Sequence, residues 1–153
     1  MKKLMTLTLI TGLATAPMAI AQTSPSQADR ILSQGTDYGI TQFRSVEFSD
    51  GGYDDIELEG WMNDWYVELD MNGDGTIRKE ERRKYEREPY GLSAGEIQDY
   101  LEAATNEGMA TVDEIKVDRR GEVEVEGEDD TGRELELEFR KGELEPVRIK
   151  RDD

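Results

Sequence analysis

The runs "EVEVEG" at 122–127 and "ELELEF" at 134–139 alternate glutamate with a large apolar residue at every position. In a β-strand successive side chains point to opposite faces, so this alternation fits a strand with one buried and one wetted face. It does not fit a helix, whose apolar side repeats every three or four residues. The glutamates are assigned to solvent, and Val123, Val125, Leu135, Leu137 and Phe139 to the core. Such strands belong to an antiparallel sheet whose apolar face is covered by a helix.

The same logic extends over the rest of the chain. "TQFRSVEF" puts Phe43 inward, and Val46 and Phe48 resume the alternation after a one-residue slip. "YDDIELEG" aligns Ile56 with Leu58, and "WYVELD" aligns a core Trp65 with Val67 and Leu69. A short helix is expected over Ala28–Gln34, with Ile31 and Leu32 inward. A second is expected over Leu92–Ala104, where Ser93 and Glu96 have capping-box spacing and Ile97, Tyr100, Leu101 and Ala104 form a stripe. After it come "TVDEIKV", the two alternating runs, and a fourth strand at "LEPVRIK".

The two halves therefore repeat one order, and the endings "ELEG" and "EVEG" align with small gaps. An α+β fold follows, with two small helix-plus-antiparallel-sheet units in tandem, at 28–77 and 92–149. Between them "IRKEERRKYERE" is a good helix former that Pro89 stops, so 78–91 is assigned to a linking helix and turn. Residues 150–153 form a tail.

Residues 92–149, "LSAGEIQDYLEAATNEGMATVDEIKVDRRGEVEVEGEDDTGRELELEFRKGELEPVRI", resemble the PepSY family in their acidic helix, strand meander and "KGEL" turn; 28–77 resemble it more weakly. Two departures stand out: "FRKGEL" lacks an aspartate before the last turn, and Gly108-Met109 replaces a Gly-Tyr. The resemblance implies a small exported or membrane-associated module that restrains peptidases or binds envelope proteins. It carries no catalytic residues.

Residues 1–21 have Lys2 and Lys3, an apolar run and a small-x-small end at Ala19 and Ala21, as a signal peptide cleaved before Gln22 would. A polar leader follows at 22–27. The address implied is periplasmic or extracellular, without stable membrane insertion after cleavage. Loss of the segment, which holds no acid, takes the net charge from -17 to -19. That field repels nucleic acid and attracts cations, although a high-salt habitat would favour the same surface. With no cysteine and no histidine, thiol chemistry is absent and so is the usual neutral-pH base.

The most explicit chemical motif is "DMNGDGTIRKEE" at 70–81, which has the spacing of a twelve-residue EF-hand calcium loop. Asp70, Asn72 and Asp74 would offer side-chain oxygens, Thr76 its carbonyl, and Glu81 both carboxylate oxygens, with Gly75 at the bend. Arg78, at the ninth position, cannot coordinate, so weak binding of about 0.1–1 mM is expected. Strand spacing before the motif favours a strand-loop-helix site over a helix-loop-helix hand. The alternative is an Asp/Asn/Gly-rich hairpin turn. The function expected is a non-enzymatic calcium-binding structural or protein-interaction module, its partners a divalent cation and an envelope protein or peptidase. The alternatives are a peptidase-inhibitory or folding-accessory module, and below that a metal-assisted carboxylate hydrolase.

Overall fold

The computed structural model describes residues 25–48, 56–85 and 87–151. The signal-peptide assignment at 1–21 and the leader at 22–24 lie outside the described residues, whereas 25–27, also assigned to the leader, open the first helix. The chain runs α1 (Pro25–Tyr38), β1 (Gln42–Phe48), β2 (Ile56–Met62), β3 (Trp65–Met71), β4 (Ile77–Lys84), α2 (Ala94–Asn106), β5 (Met109–Val117), β6 (Glu122–Asp129), β7 (Glu134–Arg140) and β8 (Arg148–Arg151).

The expectation of two tandem units is overturned. All eight strands form one antiparallel sheet in the order β4-β3-β2-β1-β5-β6-β7-β8. The halves are joined where β1 pairs with β5, through Ser45–Lys116, Val46–Ile115 and Glu47–Glu114. Separate four-stranded sheets would each have left β1 or β5 with a row of unpaired backbone groups. They would also have divided one small set of apolar residues between two cores.

Both helices lie on one face of the sheet, and the core there is continuous from Leu58 and Leu69 through Val46 and Ile115 to Leu137 and Phe139. Gln98 Nε2 on α2 donates to Asp29 Oδ1 on α1 at 3.1 Å, linking the two helices. The expected cap of α2 forms: the Glu96 N–H donates to Ser93 Oγ at 3.2 Å, and the Ser93 N–H to Glu96 Oε2 at 2.7 Å. The slip expected in β1 is a bulge between Phe43 and Ser45.

A second correction concerns 78–91. Ile77–Lys84 is an edge strand paired with β3, and every residue of it is exposed. Helix propensity is a weak preference, and here it yields to the backbone donors and acceptors that β3 would otherwise leave unpaired. The charges in "IRKEERRK" suit an exposed sheet edge.

A third correction exchanges the two tryptophans. Trp61 is 2% exposed and Trp65 41%. On β2, Trp61 points away from the helices, where the β4–α2 connection covers it: its indole Nε1 donates to the Tyr90 carbonyl at 2.8 Å. Trp65 opens β3 just after the turn at Asn63 and Asp64 and is exposed there.

Candidate functional site

The sheet face opposite the helices carries the glutamates of the alternating strands, and register decides which of them meet. Across successive strands Lys79 faces Asp70, Asp70 faces Glu57, and Glu57 faces Glu47. Glu47 then faces Glu114, Glu114 faces Glu126, Glu126 faces Glu136, and Glu136 faces Lys150. The result is an unbroken row of six carboxylates with a lysine on each edge strand. Strands lie about 4.8 Å apart, so the row extends roughly 24 Å.

The two halves of this row differ in their counter-charges. On the β5–β8 side, Lys116 Nζ lies 3.0, 3.0 and 2.7 Å from carboxylate oxygens of Glu114, Glu124 and Glu126. Burial lowers the Lys116 pKa, but these three glutamates outweigh it and hold the ammonium above its ordinary range. Lys150 pairs with Glu136, and with Glu138 at 3.2 Å. On the β3–β2–β1 side, Asp70, Glu57 and Glu47 form no ion pair among the described residues; Lys79 turns instead to Glu81, at 2.6 Å. Partial burial, with Glu59, Glu47, Asp70 and Glu68 around it, pushes the Glu57 carboxyl up from the ordinary glutamate value.

A trough of about 270 Å³ opens here, with Glu47, Glu57, Glu59 and Glu114 in its lining and Arg44 and Tyr90 among its walls. Arg44 Nη1 donates to Glu59 Oε2 at 2.6 Å and to Tyr66 Oη at 2.8 Å, and the Tyr66 hydroxyl donates to the same carboxylate. Burial and then the Glu59 carboxylate raise the Tyr66 phenol. Trp61 packs edge-on against Tyr66 and Tyr85, and the Arg119 guanidinium lies 4.5 Å from the Tyr90 ring centroid. Tyr90 is therefore the aromatic residue in the trough's lining, and its acidic residues share that lining with Arg44 and Lys116.

The structure scatters the predicted calcium ligands. Asn72, Asp74 and Thr76 share the β3–β4 turn, where Asp74 Oδ1 accepts from the Thr76 N–H at 2.9 Å and its hydroxyl at 2.7 Å. Asn72 Nδ2 donates to Thr76 Oγ1 at 2.7 Å, and Gly75, at φ 86°, makes the bend. These bonds hold the Asp74 carboxyl below its ordinary range, the Thr76 side chain contributing most. Asp70 lies on β3 in the carboxylate row, whereas β4 carries Glu81 away to Glu68 and Lys79. The turn is a hairpin from which the chain departs along an edge strand, without curling back around a centre. Among the described residues, no group of three or more His, Cys, Asp or Glu is gathered to hold a metal ion.

No sequence motif singles out Glu47, Glu57, Glu114 or Lys116. Their alignment into a row depends on pairing between distant strands. No protein family, curated protein or solved structure matches the chain. Among the described residues no helix is long and apolar enough to cross a membrane.

Glu57 provides a pH test of this electrostatic account. A carboxyl whose folded pKa is raised binds its proton more tightly in the native state, so stability rises as pH falls through that folded value. Lowering the pH from neutrality towards the ordinary glutamate range is therefore expected to raise Tm. At lower pH the effect reverses as the depressed carboxyls Glu96 and Asp118 protonate and lose their hydrogen bonds. Glu57→Gln, which relieves two like-charge cross-strand pairs, is expected to raise Tm at neutrality by about 2–5 °C and to flatten the initial rise. Melting followed by circular dichroism against pH checks both.

Proposed function

We propose that this chain is an exported, non-catalytic interaction module that presents the helix-free face of its sheet to an envelope protein. The observation that carries this is the trough at the centre of that face, lined by Glu47, Glu57, Glu59 and Glu114 together with Arg44, Lys116 and Tyr90. A preformed concave surface of mixed charge, with Tyr90 in its wall, suits recognition of a folded or extended partner. The resemblance of residues 92–149 to PepSY modules, and the leader-like residues 1–21, support an envelope setting.

The test places a photo-crosslinking residue at Ser45, in the trough, or at Glu102, exposed on α2. A single envelope protein is expected to be captured from Ser45 and spared from Glu102. Equal capture from both positions, or capture from neither, overturns the proposal.

Calcium binding by the β3–β4 hairpin is the second reading. It is favoured by Asp70, which starts the loop motif and stands opposite Glu57, itself surrounded by carboxylates. Calcium that binds only the folded chain would add about 2.7 kcal/mol of stability at a hundredfold excess over its Kd. Titration is expected to shift the amide signals of residues 70–76 and to raise Tm. Asp70→Asn should abolish the response and Glu81→Gln should spare most of it, since Glu81 lies along β4. An absence of calcium-dependent shifts rules this role out.

A further inference from the structure

The β5–β8 half of the open face displays how this sheet receives a cationic side chain. Lys116 stands over its strand with its amino group shared by carboxylates of β5 and β6, and Lys150 does the same over β7. On the β3–β2–β1 half the carboxylates continue in register through Glu47, Glu57 and Asp70, but among the described residues no lysine or arginine forms an ion pair with them. The trough lies over Glu47 and Glu57, which line it together with Arg44 and, towards β5 and β6, Lys116.

We infer that the open face binds an extended polypeptide segment bearing lysine or arginine at alternate positions, with those side chains seated on Glu47, Glu57 and Asp70. The inference rests on the protein-binding reading above and specifies the chemistry of that partner. The spacing agrees: three strands span roughly 10 Å, and side chains on one side of an extended segment recur every ~6.6–6.8 Å. Two such side chains, each long enough to adjust by an ångström or two, cover the half-row. A second copy of this chain is disfavoured by its net charge of -17. A single metal ion is a poorer match, because oxygen ligands must converge at about 2.3–2.6 Å and carboxylates in a row about 4.8 Å apart diverge from any one point.

The probe is a fluorescein-labelled peptide of alternating lysine and threonine, titrated by anisotropy at low ionic strength, with amide NMR shifts to locate it. Glu47→Gln with Glu57→Gln is compared with Asp99→Asn with Glu102→Gln, which removes the same charge from exposed positions on α2. The first pair is expected to weaken binding about tenfold, the second less than about threefold, and added salt should weaken binding of the unaltered protein. Shifts should fall on β1, β2 and β3. The glutamines remove repulsion between facing carboxylates, so the Tm of the first pair should be unchanged or higher, and unfolding cannot account for its loss of binding.

Equal weakening by both pairs would reduce the effect to bulk charge and overturn the inference. So would spermine or calcium chloride binding the row more tightly than the peptide, which would assign it to small cations, or self-association lost in Glu47→Gln with Glu57→Gln, which would assign it to a second copy. If Ser45 captures a partner whose binding ignores Glu47 and Glu57, the interaction reading stands and the cationic-segment inference falls.

Discussion

Gly127→Ala is expected to destabilise the fold by about 3 kcal/mol, the upper end of the usual range for overpacking. Gly127 lies on β6 opposite the irregular register of β5, and a Cβ built there would overlap the Thr111 carbonyl oxygen. The obstacle is backbone, so no rotamer change relieves it; β5 and β6 must separate or the bulge must straighten. Gly60 occupies the corresponding place on β2, beside the bulge of β1, where a Cβ would overlap the Gln42 carbonyl and lie 2.7 Å from Ile40 Cγ2. Gly60→Ala should cost a similar amount. Gly95 is the control: it lies in α2 with nothing within 4 Å of a Cβ, so Gly95→Ala should stabilise by about 0.5–1 kcal/mol through helix propensity. Denaturant melts of the three variants test the set, and a Gly127→Ala protein as stable as wild type would contradict the close approach of β6 to the bulge.

Phe139→Ala is expected to cost about 3–5 kcal/mol by emptying a closed part of the core. Phe139 is fully buried on β7 and packs against Tyr100 of α2 with ring centroids 5.2 Å apart. Tyr100 also donates to the Arg140 carbonyl at 3.1 Å and accepts from the Gly142 N–H at 2.8 Å, fixing the middle of α2 to the turn after β7. Tyr100→Phe keeps the ring and loses only these bonds, so about 1 kcal/mol is expected. Chemical denaturation should rank Phe139→Ala well below Tyr100→Phe. If the two were equally destabilised, α2 would be held by its hydroxyl contacts, and packing beneath it would contribute little.

The same pair of glycines shows how far local reading extends. "ELEG" and "EVEG" were legible as equivalent strand endings, and the slip in "TQFRSVEF" was legible as an interruption of alternation. Each glycine faces an irregular register, so both signals describe one feature of the sheet. The sequence could not say that the strands carrying them belong to a single sheet, because the β1–β5 pairing joins residues about seventy positions apart.

The residues of the calcium motif are spread along the β3–β4 hairpin for a related reason. Its spacing counts residues along the chain, whereas coordination requires a particular path through space. Once residues after Ile77 pair with β3, Glu81 is carried away from Asp74 at strand rise per residue. Asp74, Gly75 and Thr76 are then used by the turn, as the alternative hairpin reading expects. Alternation puts Trp65 in phase with Val67 and Leu69 and so in the core, whereas the covering segment around Tyr90 buries Trp61 instead.

By itself the sequence determined the strands with one apolar face, the capped helix α2, the absence of thiol and imidazole chemistry, and the strong negative charge. All of these depend on residue identity and on neighbours a few positions apart. Only the tertiary structure decided that the halves share one core, that a helix-forming segment becomes an edge strand, and that scattered glutamates align into a row across the inner strands. Those outcomes depend on backbone hydrogen bonding between distant segments, where a shift of one residue would turn every side chain to the opposite face.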